Sequence, residues 1–472
     1  EEASGSNPFP PYSVGTWIFV GASDGVHGME PYRIDPTTHT ATLLKDINTE
    51  GADGSLWWGD PAVIGSTIYF PAYDPVHGTE LWKSDGTTDG TVLVKDINPN
   101  AAGADGSNPG NLYVAGGILY FWAFNGVDGT ELWRSDGTSA GTYMVKDIND
   151  TPEGSSWPQS FYAMGGVLYF EADDGADGYE LWRSDGTAAG TYMVKDIRAG
   201  VDASSPNHFA SVGGILYFAA DDGSVGMELW RSDGTAGGTH LLKNIYEGAG
   251  GSGIGFLMPY NGAMYFNASD GNGAGQHGYE LWTSDGTTEG TSMVLETEPG
   301  PGDGWSAPLG VAGGLLLTQS YVTASGYELW RSDGTASGTS IVKDVVEGGA
   351  GSNPNVMTVH GDVAFYFAYD GTRTMLYRSD GTADGTGPAA VLPGSSAQVG
   401  CECSRDIASL GDEIYFPMFS DETGWEMAYL SAPLPATDRD GTAWGGLSAV
   451  LALLAALTAA ASTALRLRTT RR

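Results

Sequence analysis

The sequence predicts an all-β protein, a β-propeller of eight or nine four-stranded blades in kelch-like order, followed by one C-terminal transmembrane helix. Three observations carry that expectation: an octapeptide recurring at near-constant spacing, four short strand-like runs within each repeat, and an uncharged apolar stretch close to the C-terminus.

The octapeptide reads Glu-Leu-Trp-x-Ser-Asp-Gly-Thr and occurs in six strict copies spaced 51, 49, 48, 52 and 48 residues apart. Its glutamate, tryptophan and aspartate are Glu80, Trp82 and Asp85; Glu131, Trp133 and Asp136; Glu180, Trp182 and Asp185; Glu228, Trp230 and Asp233; Glu280, Trp282 and Asp285; and Glu328, Trp330 and Asp333. Degenerate copies begin at Glu30, Leu376 and Glu426, which makes nine modules. A period of this length without helical periodicity matches propeller blades better than a solenoid.

The module at 207–245 explains why each repeat should form a sheet. Strand-like runs at 208–212, 215–220, 227–231 and 239–245 are separated by Gly213-Gly214, by Asp221-Asp222-Gly223 and by a loop beginning Ser232-Asp233-Gly234-Thr235. Aspartate can bond its own backbone two residues on and glycine supplies positive φ, as tight hairpin loops require. Large apolar residues fill consecutive strand positions instead of alternating with polar ones, as expected where both sheet faces pack on neighbours. The ninth module lacks a clear fourth strand. In an up-down-up-down sheet, the near-identical turns after strands one and three share one face, and the longer, variable, acidic loops share the other. Variable loops on a fixed scaffold are where function usually resides.

The propeller is expected over residues 1–431, a linker over 432–446, the transmembrane helix over 447–465 and a basic cytoplasmic tail over 466–472. Nineteen uncharged residues at about 1.5 Å each span roughly the hydrocarbon core of a bilayer, and Arg466, Arg468, Arg471 and Arg472 favour retention on the cytoplasmic side. Trp444-Gly445-Gly446, the apolar stretch and the arginine cluster together also look like a bacterial C-terminal sorting signal that is cut during surface delivery. The opening Glu1-Glu2-Ala3-Ser4 reads as a mature chain after signal cleavage or as a fragment, and both readings permit export. A net charge of −37 makes the body polyanionic; it repels nucleic acid and anionic lipid, so nucleic acid is excluded as a partner. With only Cys401 and Cys403, no disulfide framework is available, and neither cysteine is assigned a role.

The pattern at 131–138 and 180–187 resembles the bacterial repeat proteins called ELWxxDGT repeat proteins, over residues 8–431. The resemblance implies an exported protein of propeller-like architecture and no defined activity.

Candidate sites lie on the variable face. Asp173, Asp174 and Asp177, and Asp221 and Asp222, gather before the Glu-Leu-Trp strands, either as calcium ligands or as turn formers. Trp57, Trp58, Trp157 and Trp305 depart from the repeat, either as stacking residues for glycans or as packing for the inter-blade connections. The repeated glutamate lies two residues from tryptophan on one face of a packed strand, so it needs partners; Lys146, Lys195, Arg183 and backbone amides are the candidates, and a structural ion pair is expected. His27, His77 and His277 share one loop position held by Asp128 or Asp177 in other blades, which suggests exposure. No nucleophile elbow, phosphate loop or zinc motif is present, and no catalytic residue is assigned. These readings favour a non-enzymatic cell-surface module that binds a ligand, glycan or protein. The alternatives are a structural component of a surface layer or appendage, and an exported carboxylate-dependent hydrolase or lyase.

Overall fold

The computed structural model describes residues 6–431, other than 7, 51–53, 57–59, 100–105, 272, 274, 301–303, 390–397, 400–406 and 421–423. Each repeat folds into one antiparallel sheet, and the chain is an all-β protein of nine propeller blades. In chain order, blades 1 to 9 occupy residues 12–43, 62–95, 110–146, 159–195, 207–243, 255–295, 307–343, 355–388 and 398–431. They fall into two compact units, one built of blades 1, 2, 8 and 9 and the other of blades 3 to 7.

Blade 4 illustrates the construction. Its strands Gln159–Met164, Val167–Asp173, Tyr179–Ser184 and Tyr192–Lys195 pair in chain order. Gly165 and Gly166, at φ 61° and 82°, make the two-residue turn between the first two strands, where both central residues need the left-handed region. The second strand is buried on both faces. Leu168, Phe170 and Ala172 join Trp182 in a core with Tyr120 and Leu132 of blade 3, whereas Tyr169 and Leu181 join Leu216, Phe218 and Trp230 of blade 5. Two shared cores per blade explain the continuous apolar runs of the sequence.

Strand four is shorter than its sequence suggests. In blade 5 the run expected over 239–245 is a strand only at His240–Lys243, because the Ile245 amide donates to the Glu228 carboxylate at 2.9 Å instead of to the ladder. The Ser-Asp-Gly-Thr loop is closed by its own side chains. Asp185 Oδ1 accepts from the Thr187 amide and hydroxyl, Thr187 Oγ1 accepts from Gly190 N, and the Ser184 and Thr191 hydroxyls bond each other at 2.7 Å. Gly190 sits where a Cβ would strike the Asp185 carboxylate.

In blade 9 two short pieces, Gln398–Val399 and Ala408–Leu410, pair with one edge of Glu413–Ser420, whose other edge pairs with Gly424–Ser431. The N-terminal segment reaches this blade: the Ser6 hydroxyl donates to Glu426 at 2.6 Å and the Ser13 hydroxyl to the Ser409 carbonyl at 2.7 Å. The expected transmembrane helix over 447–465 lies outside the described residues, as do Cys401 and Cys403. Among the described residues, no helix is long and apolar enough to cross a membrane.

Candidate functional site

The repeated glutamate is a latch between a blade and the connection leading to the next one. Glu180 accepts four hydrogen bonds, from the amides of Ile197 (2.9 Å), Arg198 (3.2 Å) and Ser204 (3.1 Å) and from the Ser204 hydroxyl (2.6 Å). Ser55, Ser156, Ser252 and Ser352 do the same for Glu30, Glu131, Glu228 and Glu328, and Ser6 does so for Glu426. Blade 6 solves the problem differently: Gly304 stands at the serine position, and the Thr297 hydroxyl donates to Glu280 at 2.6 Å. Burial pushes Glu30, Glu131 and Glu280 up to about 7 against the opposing pull of these donors.

The expected ion pair is therefore corrected. Lys146 and Lys195 donate instead to the carbonyls of Thr191 and Thr239 in the following blades, lying over the Trp182 and Trp230 rings at 5.4 and 5.8 Å. Arg183 donates to the Gly234 carbonyl of blade 5. The cations staple one blade to the next, and the carboxylate is left to neutral donors. The serine was missed in the sequence, although it stands 24 or 25 residues after its glutamate in Ser55, Ser156, Ser204, Ser252 and Ser352.

With glutamate, tryptophan and aspartate of the motif absorbed in structure, function is to be sought where blades differ. One position of the second strand, opposite the motif leucine, holds Trp122, Glu171, Ala219, Asn267 and Gln319 in blades 3 to 7. Among the described residues, Glu171 is the buried glutamate outside the latch series. Burial pushes its carboxyl up to about 7, opposed by hydrogen bonds from the Ser160 and Gln159 side chains; the Ser160 hydroxyl lies 3.0 Å from Oε1. Ser160 itself is held at φ 58°. Sequence reasoning passed over Glu171 because a lone glutamate at the end of an apolar strand carries no motif; its signal is that no other blade repeats it.

Trp157 and Trp305 occupy equivalent places. Each follows the residue whose carbonyl receives the amide at the end of strand two, and each has left-handed backbone, at φ 42° and 35°. Asn108, Ser205 and Asn353 hold this place in other blades at φ 46° to 49°. Trp305 packs against Tyr279 at 5.1 Å and Phe256 at 6.3 Å. Trp157 meets Trp122 edge-on at 5.6 Å and remains 48% exposed. Trp57 and Trp58 lie outside the described residues.

The acidic loops use their carboxylates as turn acceptors. Asp173 accepts from Gly175 N, Asp174 from the amides of Ala176 and Asp177, and Asp222 from Ser224 and Val225. Asp221 accepts from Gly223 N and pairs with Arg198 at 2.8 Å. Among the described residues no three acids, histidines or cysteines are placed to hold a metal ion. His27, His77 and His277 each pair with a loop aspartate, Asp24, Asp74 and Asp270, at 2.7 to 2.9 Å. A cavity of about 310 Å³ in the unit of blades 1, 2, 8 and 9 is lined by Tyr12, Val356, Met357 and Ala408 among others.

No family model and no curated protein sequence matches the chain. Among solved structures it is similar to a puromycin hydrolase (16% identity, TM-score 0.41, covering 77% of this chain and 59% of that one). It is likewise similar to oligopeptidase B from Leishmania major (10%, 0.42, 78% and 54%), and to a puromycin-hydrolyzing peptidase of Mycobacterium tuberculosis (13%, 0.38, 77% and 57%). The chain thus spans less than two thirds of the length of these structures. By their own descriptions they are hydrolases, which stands against the expectation of a non-enzymatic surface module; that expectation is withdrawn, and the likeness gives this chain no activity. The likeness is one of strand architecture and assigns no catalytic residue.

Proposed function

We propose that the chain is an exported, carboxylate-dependent hydrolase or lyase in which Glu171 is the proton-transfer group. The observation that carries this reading is a buried carboxyl, unshared by the other blades and held by Ser160 and Gln159, at the variable-loop end of strand two. A carboxyl pushed up to about 7 exchanges its proton near neutral pH, where a general acid or base works best. Burial pushes the latch glutamates Glu30, Glu131 and Glu280 up to about 7 as well, but latch oxygens are occupied by the next connection, and a group needed in every blade argues for structure. Export agrees with the acidic body and with the repeat family the motif resembles, and the 447–465 stretch is the proposed anchor, to be tested by fractionating the cells that make the protein.

The test is turnover of a panel of polysaccharides and peptides by the full chain and by Glu171→Gln. Activity with an apparent pKa near 7, reduced about 100-fold or more in the variant with the thermal midpoint retained, is the expected result. Equal turnover in the two proteins overturns the assignment.

A further inference from the structure

Trp157 sits in a backbone conformation that disfavours it. A bulky side chain at φ 42° costs roughly 1–2 kcal/mol relative to ordinary backbone, and asparagine and serine, which tolerate that region better, fill the place as Asn108, Ser205 and Asn353. For Trp305 the cost is offset by packing against Tyr279 and Phe256. Trp157 has no such offset over half of its surface, being 48% exposed.

What lies beneath Trp157 is built to support it. Trp122 meets it at an interplanar angle of 66°, and Gly110 is the residue that lets the Trp122 indole lie there, since a Cβ on Gly110 would strike the ring. Phe124, two residues along the same strand and so on the same face, is 38% exposed. Gln159, two residues beyond Trp157, is exposed and stands opposite Glu171 in the sheet. An exposed indole on an aromatic support, with the Gln159 amide two residues along the chain, suits a pyranose ring, whose C–H face stacks while its hydroxyls bond polar groups. The net charge of −37 repels polyanionic polymers, which sets an anionic sugar aside.

We infer that Trp157, propped on Trp122, is the stacking platform for a neutral pyranose ring of the polysaccharide on which Glu171 acts. The platform is independent of Glu171; only the claim that the bound sugar is the substrate rests on the proposed function.

Calorimetric titration of the full chain with neutral hexasaccharides of glucose, mannose and N-acetylglucosamine tests it, with polygalacturonate as the anionic control and an apolar hexapeptide as the competing occupant. A neutral hexasaccharide should bind. Trp157→Asn should weaken that binding roughly tenfold or more while leaving the thermal midpoint unchanged or higher, because strain is relieved; Trp305→Asn should lower the midpoint and leave binding intact. Glu171→Gln should bind as the wild type does and lose cleavage. The platform is overturned if none of the three sugars binds, if the peptide binds in their place, if Trp157→Asn binds normally, or if that variant is destabilised as packing would require. Sugar binding without any cleavage by the wild type supports the platform and sinks the reading of Glu171.

Discussion

Exchanging two residues of blade 6 for their counterparts in blade 5 tests the latch. Glu280 receives the Thr297 hydroxyl at 2.6 Å and the Thr297 amide at 3.0 Å, whereas Glu228 receives the Ser252 hydroxyl at 2.8 Å and the amide of Ile245 at 2.9 Å. Thr297→Ile removes a hydroxyl donor from a buried carboxylate, at a cost of about 1.5–3 kcal/mol. Gly304→Ser places a Cβ against the Thr297 hydroxyl and both Glu280 oxygens, an overpacking worth about 1–3 kcal/mol. Together the changes carry the blade 5 pair, Ile245 and Ser252, into blade 6, where the serine hydroxyl supplies the donor that the isoleucine lacks. The double variant should fall within about 1 kcal/mol of the wild type, with a coupling energy above about 2 kcal/mol. Urea unfolding gives the four midpoints, and amide exchange at residues 297 and 298 reads the local stability, since a chain of this length need not unfold in one step. Single effects that add to within about 0.5 kcal/mol would refute the latch.

Two other outcomes follow from the same chemistry. Glu30, Glu131 and Glu280 have folded-state values of about 7, above an unfolded value of 4.5, so their stabilisation is fully present below pH 4.5 and is lost as the pH rises through about 7. The thermal midpoint should therefore fall between pH 5 and pH 8, and Glu131→Gln should flatten that slope; a midpoint constant or rising over this window contradicts the assignment. Ser6→Ala removes the hydroxyl held by Glu426 at 2.6 Å, and should cost about 1.5–3 kcal/mol locally. Limited proteolysis should then cut residues 407–431 faster while blades 3 to 7 keep their resistance, and an unchanged cleavage pattern would show that Ser6 closes nothing.

Much of the blade was legible before any coordinates. Gly213-Gly214, the Asp233-Gly234 loop and the double-faced apolar runs locate the strands of blade 5 to within a few residues, since turn chemistry and burial on two faces are local properties of the chain. The error over residues 244–245 has one cause: the Ile245 amide serves a carboxylate 17 residues earlier in the sequence, and periodicity carries no information about such an exchange.

The candidate site was legible only in part. Trp157 and Trp305 look alike in sequence, and their backbone is alike too; what separates them is Trp122 beneath one, and Phe256 and Tyr279 around the other. Sequence alone determined the repeat, its strands and its tight turns, because those depend on residues within one module. The partner of each glutamate, the destination of each lysine and arginine, and the burial of Glu171 beside Ser160 were decided by tertiary structure, because each depends on a group carried in by a different strand, connection or blade. A buried carboxyl has no preference among donors until packing has chosen which ones exclude water with it.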